Sequence, residues 1–167
     1  MDKKLEKLNF LGQYLAASRS VEETLDMAMI ISKDVLGYDH AMIRLLDGAL
    51  LRAVKWIGFP REAADLQIHI GEGISGAVAQ SGQAILVEDT LKDSRFLKGV
   101  ENCRSELCAP MLYNDKVIGI FNVESEQPAF FTESDRNILE TFAALIAASM
   151  ESARLLLRHA QVGRRRS

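Results

Sequence analysis

Cys103 and Cys108 are the two thiols of a 167-residue chain, five positions apart. That spacing makes neither a disulfide framework nor a zinc site. Cys108 stands in an apolar run and reads as packing, whereas Cys103 stands in a polar stretch and is the thiol expected to be accessible. His40, His69 and His159 are scattered without ligand spacing, which argues against haem or a metal. Glu88, Asp89 and Asp93 read as solvated loop carboxylates, with no constellation around them for acid–base work. Gly71-Glu72-Gly73-Ile74-Ser75-Gly76 has the letters of a dinucleotide fingerprint but lacks the parallel βαβ setting, so its glycines read as a sharp strand-to-helix turn. There is no P-loop and no nucleophile elbow. No enzyme is expected on these grounds. Two residues are sharper. Arg44 lies on a mostly apolar strand, and arginine is seldom buried without a partner. It either meets a ligand or packs its stem while its head reaches solvent or an acid such as Glu124 or Glu101. Asn122 interrupts an apolar run and can both donate and accept, toward a ligand or toward backbone at the strand end.

The composition narrows the classes. Hydrophobic residues make up 48% and charged residues 26%, ordinary for a globular chain long enough to bury a sizeable core. A net charge of −3 argues against nucleic-acid binding, which rests on Lys and Arg meeting phosphates. Met1 leads into DKKLEKL, which is not a signal peptide, and no apolar run is long enough to span a bilayer. The expectation is a cytoplasmic protein with no membrane insertion.

These residues must be placed by the elements around them. The centre is SELCAPMLYNDKVIGIFNVE, Ser105 to Glu124, two apolar runs joined at Asn114-Asp115. They read as a hairpin covered on both faces. Leu5, Leu8, Leu11 and Leu15 mark a first helix, and Ser20 with Glu23 forms a capping-box pattern opening a second, Val21 to Leu36. His40 to Leu46 and Ala49 to Ile57 are strands joined at Asp47-Gly48. One helical turn is expected over 61–66, a short strand over 67–70, a short helix from Ile74 toward Ser81-Gly82, and a strand over 84–87. The stretch 88–104 is a long polar connection anchored by Phe96, Leu97 and Val100, and such connections are more often functional than idle. Thr132 with Asp135 caps a long helix reaching about Ala160, followed by a basic tail. The pattern is α+β, with the terminal helices on one face of an antiparallel sheet and 71–104 roofing the other.

GEGISGAVAQSGQAILVED, RSELCAPMLYNDKVIGIFNVES and FFTESDRNILETFAALIAASM, in that order and spacing, resemble the GAF domain, a ligand-sensing module of phosphodiesterases, phytochromes and bacterial signalling proteins. The resemblance covers roughly residues 20 to 155. It implies a GAF-like six-stranded antiparallel sheet and a small-molecule pocket under the 71–104 roof. Residues 1–19 would be an N-terminal signalling or dimerisation helix, 20–155 the domain, and 156–167 the end of the C-terminal helix and tail. Carried onto this chain, the family's pocket positions are Met42 and Arg44 on the first strand and Trp56 at the end of the second. Ile74 and Ser75 start the short helix, Leu97, Glu101 and Cys103 lie in the roof, and Asn122 is on the last strand. Trp56 reads either as a ring that stacks on a ligand or as core.

The family's cyclic-nucleotide pattern, Asn-Lys, then Phe, then Asp-Glu, is incomplete here: Ser125-Glu126 replaces the pair, Phe131 and Asp135 match, and Arg136 replaces the Glu. A Glu126–Arg136 contact with reversed polarity is the expected substitute. A cyclic nucleotide stands as an alternative ligand. A bilin is not expected, because no Cys-His pair is present. Methionine-sulfoxide-reducing members carry a catalytic cysteine near the place held by Gly99. The function implied is a regulatory sensor that binds an unknown small molecule. Its signal would pass through a homodimer of terminal helices to an effector such as a histidine kinase or nucleotide cyclase, as in two-component signalling. The alternatives are a ligand-free dimerisation module and, less directly, a thiol-based redox sensor or methionine-sulfoxide-reductase-like enzyme through Cys103.

Overall fold

The computed structural model describes residues 3–166 and, at Lys4 and Leu5, the backbone alone, so the Leu5 part of the first helical stripe lies outside the described side chains. The helices are α1 (Lys3–Ala16), α2 (Val21–Asp34), α3 (Arg61–Asp65), α4 (Gly73–Ser81) and α5 (Glu133–Arg165). The strands are β1 (His40–Asp47), β2 (Leu50–Ile57), β3 (Ile68–His69), β4 (Ile85–Val87), β5 (Ser105–Tyr113) and β6 (Lys116–Ser125). Adjacent strands are antiparallel in one six-stranded sheet of order β3-β2-β1-β6-β5-β4. This is the expected α+β architecture. β1, β6 and β5 are interior strands, which is why their sequences are apolar on both faces.

Alternation sorts each strand between two cores. Ala41, Ile43, Leu107, Ala109, Met111, Phe121 and Val123 point toward α1, α2 and α5, where they meet Leu8, Leu25, Ile138, Phe142, Ile146 and Met150. Phe121 and Phe142 pack edge to face at 5.4 Å. On the opposite face, Cys108 and Ile120 pack under Ile74, Val78 and Ala79 of α4, and Met42 packs with Phe59, Ala63, Val100 and Cys103.

The helix ends follow their capping residues. Ser20 Oγ accepts from the Glu23 amide at 3.0 Å, while the Glu23 carboxylate accepts from Arg19 N–H rather than from Ser20, so only half of the expected box forms. At α5 both halves form: Thr132 Oγ1 accepts from Asp135 N–H, and Asp135 Oδ2 accepts from Thr132 N–H at 2.8 Å. That helix runs on to Arg165 instead of stopping near Ala160. Nothing between those positions breaks it, since its one glycine, Gly163, lies in its last turn.

Candidate functional site

Met42, Arg44, Glu106, Asn122 and Glu124 share the roof-side face of three adjacent strands. Asn122 stands between Met42 on β1 and Cys108 on β5, and one rung on Glu124 stands between His40 and Glu106. Over them lie Ile74 and Ser75 at the start of α4 and Leu97, Lys98 and Gly99 of the roof. These groups, with residues of α3, enclose a cavity of about 30 Å³, room for about one water or one ammonium group.

Its wall is unusual in its charges. Glu106 and Glu124 are 4% and 5% exposed and face each other across one rung. Burial and then the neighbouring Glu124 push the Glu106 carboxyl well above the usual carboxylate range. Burial also raises Glu124, opposed by the hydrogen bond that the Val100 amide donates to its Oε2 at 2.8 Å. Among the described residues no cation lies within ion-pair distance of either. Asn122 Nδ2 donates to Glu124 Oε1 at 3.4 Å, and its buried Oδ1 has no partner among the described residues.

Arg44 is 4% exposed on the same wall. The register of β1 and β2 shifts between Ile43 and Arg44, a bulge that turns the strand beside this side chain. Its guanidinium donates to Ala63 O and Leu66 O, each at 2.6 Å, the carbonyls at the end of α3. Of the acids that could have paired with it, neither Glu124 nor Glu101 is within ion-pair distance. Burial works against its charge, and Cys108 and Glu124 nearby work in its favour.

Outside the cavity, a groove of about 480 Å³ runs between α3 (Pro60, Glu62, Ala63, Leu66) and the roof (Lys98, Gly99, Glu101). Ala63, Leu66, Lys98 and Gly99 line both spaces, so the groove adjoins the cavity. The roof is stitched at its ends. Asp89 caps a 3-10 turn at Thr90–Lys92 and pairs with Arg104, which holds its carboxyl low. Thr90 Oγ1 donates to Cys103 O at 2.7 Å. Between these ties, Gly99 lies directly on the Glu124 carboxylate, where a Cβ would collide with both of its oxygens.

Six of the nine expected site residues line the inner cavity: Met42, Arg44, Ile74, Ser75, Leu97 and Asn122. Glu101 lines the outer groove instead. Trp56 is half-buried and packs in the cluster of Met42, Phe59 and Val100 beside the cavity rather than in its wall. Cys103 is not the accessible thiol its polar surroundings suggest. It is 6% exposed, because the roof folds it inward, and its Sγ–H donates to Ser105 O at 3.3 Å. Burial and the carboxyls of Glu124 and Glu106 push its thiol far up, and burial does the same to Cys108. The expected Glu126–Arg136 contact does not form: Arg136 pairs with Glu133 and Glu140 and donates to Ala84 O. Glu106 is the member of the site that residue type alone does not reveal. The signal was its place two residues before Cys108, on the face shared with Asn122.

An antiparallel sheet with terminal helices on one face and a roofed cavity on the other defines a module built around a covered pocket. The sequence model of the GAF domain matches residues 20–150, and the chain belongs to that family. GAF domains are typically small-molecule-binding regulatory sensors. The dual 3',5'-cyclic-AMP and -GMP phosphodiesterase 11A of Takifugu rubripes is 27% identical over 101 residues, 56% of this chain and 11% of that protein. The cGMP-specific 3',5'-cyclic phosphodiesterase of Drosophila mojavensis is 25% identical over 146 residues, 83% of this chain and 13% of that protein. The chain thus spans little more than a tenth of these relatives. The GAF domain of an Acinetobacter phosphoenolpyruvate-protein phosphotransferase superposes with a TM-score of 0.80 at 25% identity, covering 95% of this chain and 99% of that one. The free methionine-R-sulfoxide reductase of Neisseria meningitidis, solved with its substrate, gives 0.80 at 24% identity, covering 93% and 94%, and shares the fold.

Proposed function

We propose that this domain senses a small molecule that enters along the groove between α3 and the roof and presents N–H donors to Glu106, Asn122 and Glu124. The observation that carries this reading is a buried group of acceptors, Glu106, Asn122 and Glu124, with no cation within ion-pair distance of either carboxyl and with Asn122 Oδ1 unpartnered among the described residues. A buried acceptor left unmatched costs roughly 1–3 kcal/mol, and an amine or the donor edge of a base supplies the missing bond. The cavity of about 30 Å³ suits one such group, while the groove of about 480 Å³ falls in the usual size range of small-molecule sites and would hold the remainder. Two ligand classes are suggested by the relatives' names: cyclic nucleotides, whose bases carry such donors, and free methionine sulfoxide, whose amine does. Binding is favoured over thiol catalysis by the burial of both cysteines and the upward push on their thiols. The signal would leave through terminal helices paired with a second copy, toward an effector domain or partner.

Thermal denaturation with cyclic GMP, cyclic AMP and L-methionine-R-sulfoxide tests this. At least one should raise the midpoint of the wild-type chain, and Glu106→Gln should remove the effect. A ligand that stabilises Glu106→Gln equally would show that the acceptor wall is not where it binds. No response to any of the three would favour the dimerisation-module alternative.

A further inference from the structure

The cavity contains two opposite charges that do not pair with each other. Arg44 and Glu124 line the same space of about 30 Å³, yet each is tied elsewhere. Arg44 holds the end of α3 through Ala63 O and Leu66 O, and Glu124 holds the roof through the Val100 amide. Those two elements are the walls of the outer groove. A buried guanidinium satisfied by neutral carbonyls alone is far from its best partner, since bonds to an oxyanion are both charge-assisted and bidentate. α3 itself is a weak element: five residues, no side-chain cap at Pro60, and only Ala63 and Ala64 buried.

We propose that Arg44 reads an acidic group of the ligand, a carboxylate or a phosphate, and that taking this group releases α3. This rests on the reading that a small molecule donates to Glu106 and Glu124, and it adds that the same molecule bears an anion at its other end. The oxyanion accepts the two N–H bonds now made to Ala63 O and Leu66 O. These residues line both cavity and groove, so it seats where the two meet while the donor group fills the cavity, and the freed carbonyls turn to water in the groove. α3 loosens as Arg44 is withdrawn from it. The pocket is thereby a reader of amphoteric ligands, and α3 reports their arrival.

Hydrogen exchange of the full chain, read over residues 61–66, provides the test together with calorimetric titration. L-methionine-R-sulfoxide forms the carboxylate arm, with its carboxamide as the acid-free control. Cyclic GMP and cyclic AMP form the phosphate arm, with guanosine and adenosine as controls. In one arm the acid-bearing probe should bind and speed exchange over 61–66 on the order of tenfold, while its control binds more weakly and leaves that segment unchanged. Arg44→Gln should weaken the acid-bearing probe roughly tenfold or more, down to the level of the control. Arg44→Lys keeps the charge but cannot span both carbonyls, so its free form should already exchange faster over 61–66. Binding that survives Arg44→Gln but is lost in Glu106→Gln would overturn the role of Arg44 and leave the sensor reading standing. Unchanged exchange over 61–66 on binding, or in Arg44→Lys, would overturn the release of α3. If none of the acid-bearing probes binds the wild-type chain, both readings fall.

Discussion

Two buried carboxyls face each other across the Glu106–Glu124 rung, an arrangement that costs stability. Burial raises both carboxyls, so above the ordinary carboxylate range the folded chain holds a proton that the unfolded chain has lost. Stability is therefore greatest below that range and falls as pH rises through the raised folded values. The pair titrates as a unit, and its protons belong to the rung rather than to either residue. Glu106→Gln removes the carboxyl with the stronger burial. It should stabilise the ligand-free chain at pH 8 by on the order of 1–3 kcal/mol and flatten the decline between pH 5 and 8. Urea denaturation at both values measures this, and a destabilised Glu106→Gln at pH 8 would show that the carboxylate is better matched than its surroundings indicate. Arg44 and Asn122 were legible from sequence because each breaks an apolar run. Glu106 was not, since its meaning depends on the hairpin register that sets it opposite Glu124. The error at Cys103 has the same origin: a polar stretch says nothing about which of its side chains a roof folds inward.

Among the elements, the β5–β6 hairpin, the β1–β2 pair and both capped helices follow from turn chemistry and periodicity, which act over a few residues. The roof does not, because its shape is set by contacts to β6 and α4: Arg104 N–H to Ser125 O, Val100 N–H to Glu124, and Leu97 against Gly73. Gly99 is the tightest of these approaches. Gly99→Ala would place a methyl on the Glu124 carboxylate, and either the roof lifts or the carboxylate swings. The expected result is a loss of about 1–3 kcal/mol with faster exchange at the Val100 amide, whose acceptor moves away. An unchanged Val100 amide would mean that the roof yields elsewhere. The extra length of α5 was illegible for the opposite reason. Its last turns are exposed at every described residue, and helix propensity sets where they end.

At the scale of the whole molecule the two faces of the sheet have different tasks. The roof side contains the charges and the groove; the helix side contains the larger core and an outer surface that remains apolar. Phe10 and Tyr14 on α1 and Leu155, Leu156, Leu157 and Val162 on α5 are all about half exposed. Beyond Ala153, α5 continues for about 18 Å with every residue exposed, and Leu157 and Ala160 prolong the stripe that Phe142, Ile146, Met150 and Ala153 bury. A second copy is the partner we propose for this stripe, by pairing of terminal helices across a two-fold axis. Residues 154–166 carry five arginines and no acid. Side-by-side tails would therefore repel, and added salt should strengthen the dimer rather than weaken it. Leu157→Lys removes apolar cover from both copies at once and adds two charges. Since a buried leucine contributes about 1.5–3 kcal/mol, the dissociation constant should rise on the order of a hundredfold or more. Equilibrium sedimentation at low and high salt checks both effects. A wild-type chain that sediments as a monomer at tens of micromolar, or a dimer indifferent to Leu157→Lys, would place the dimer contact elsewhere or remove it.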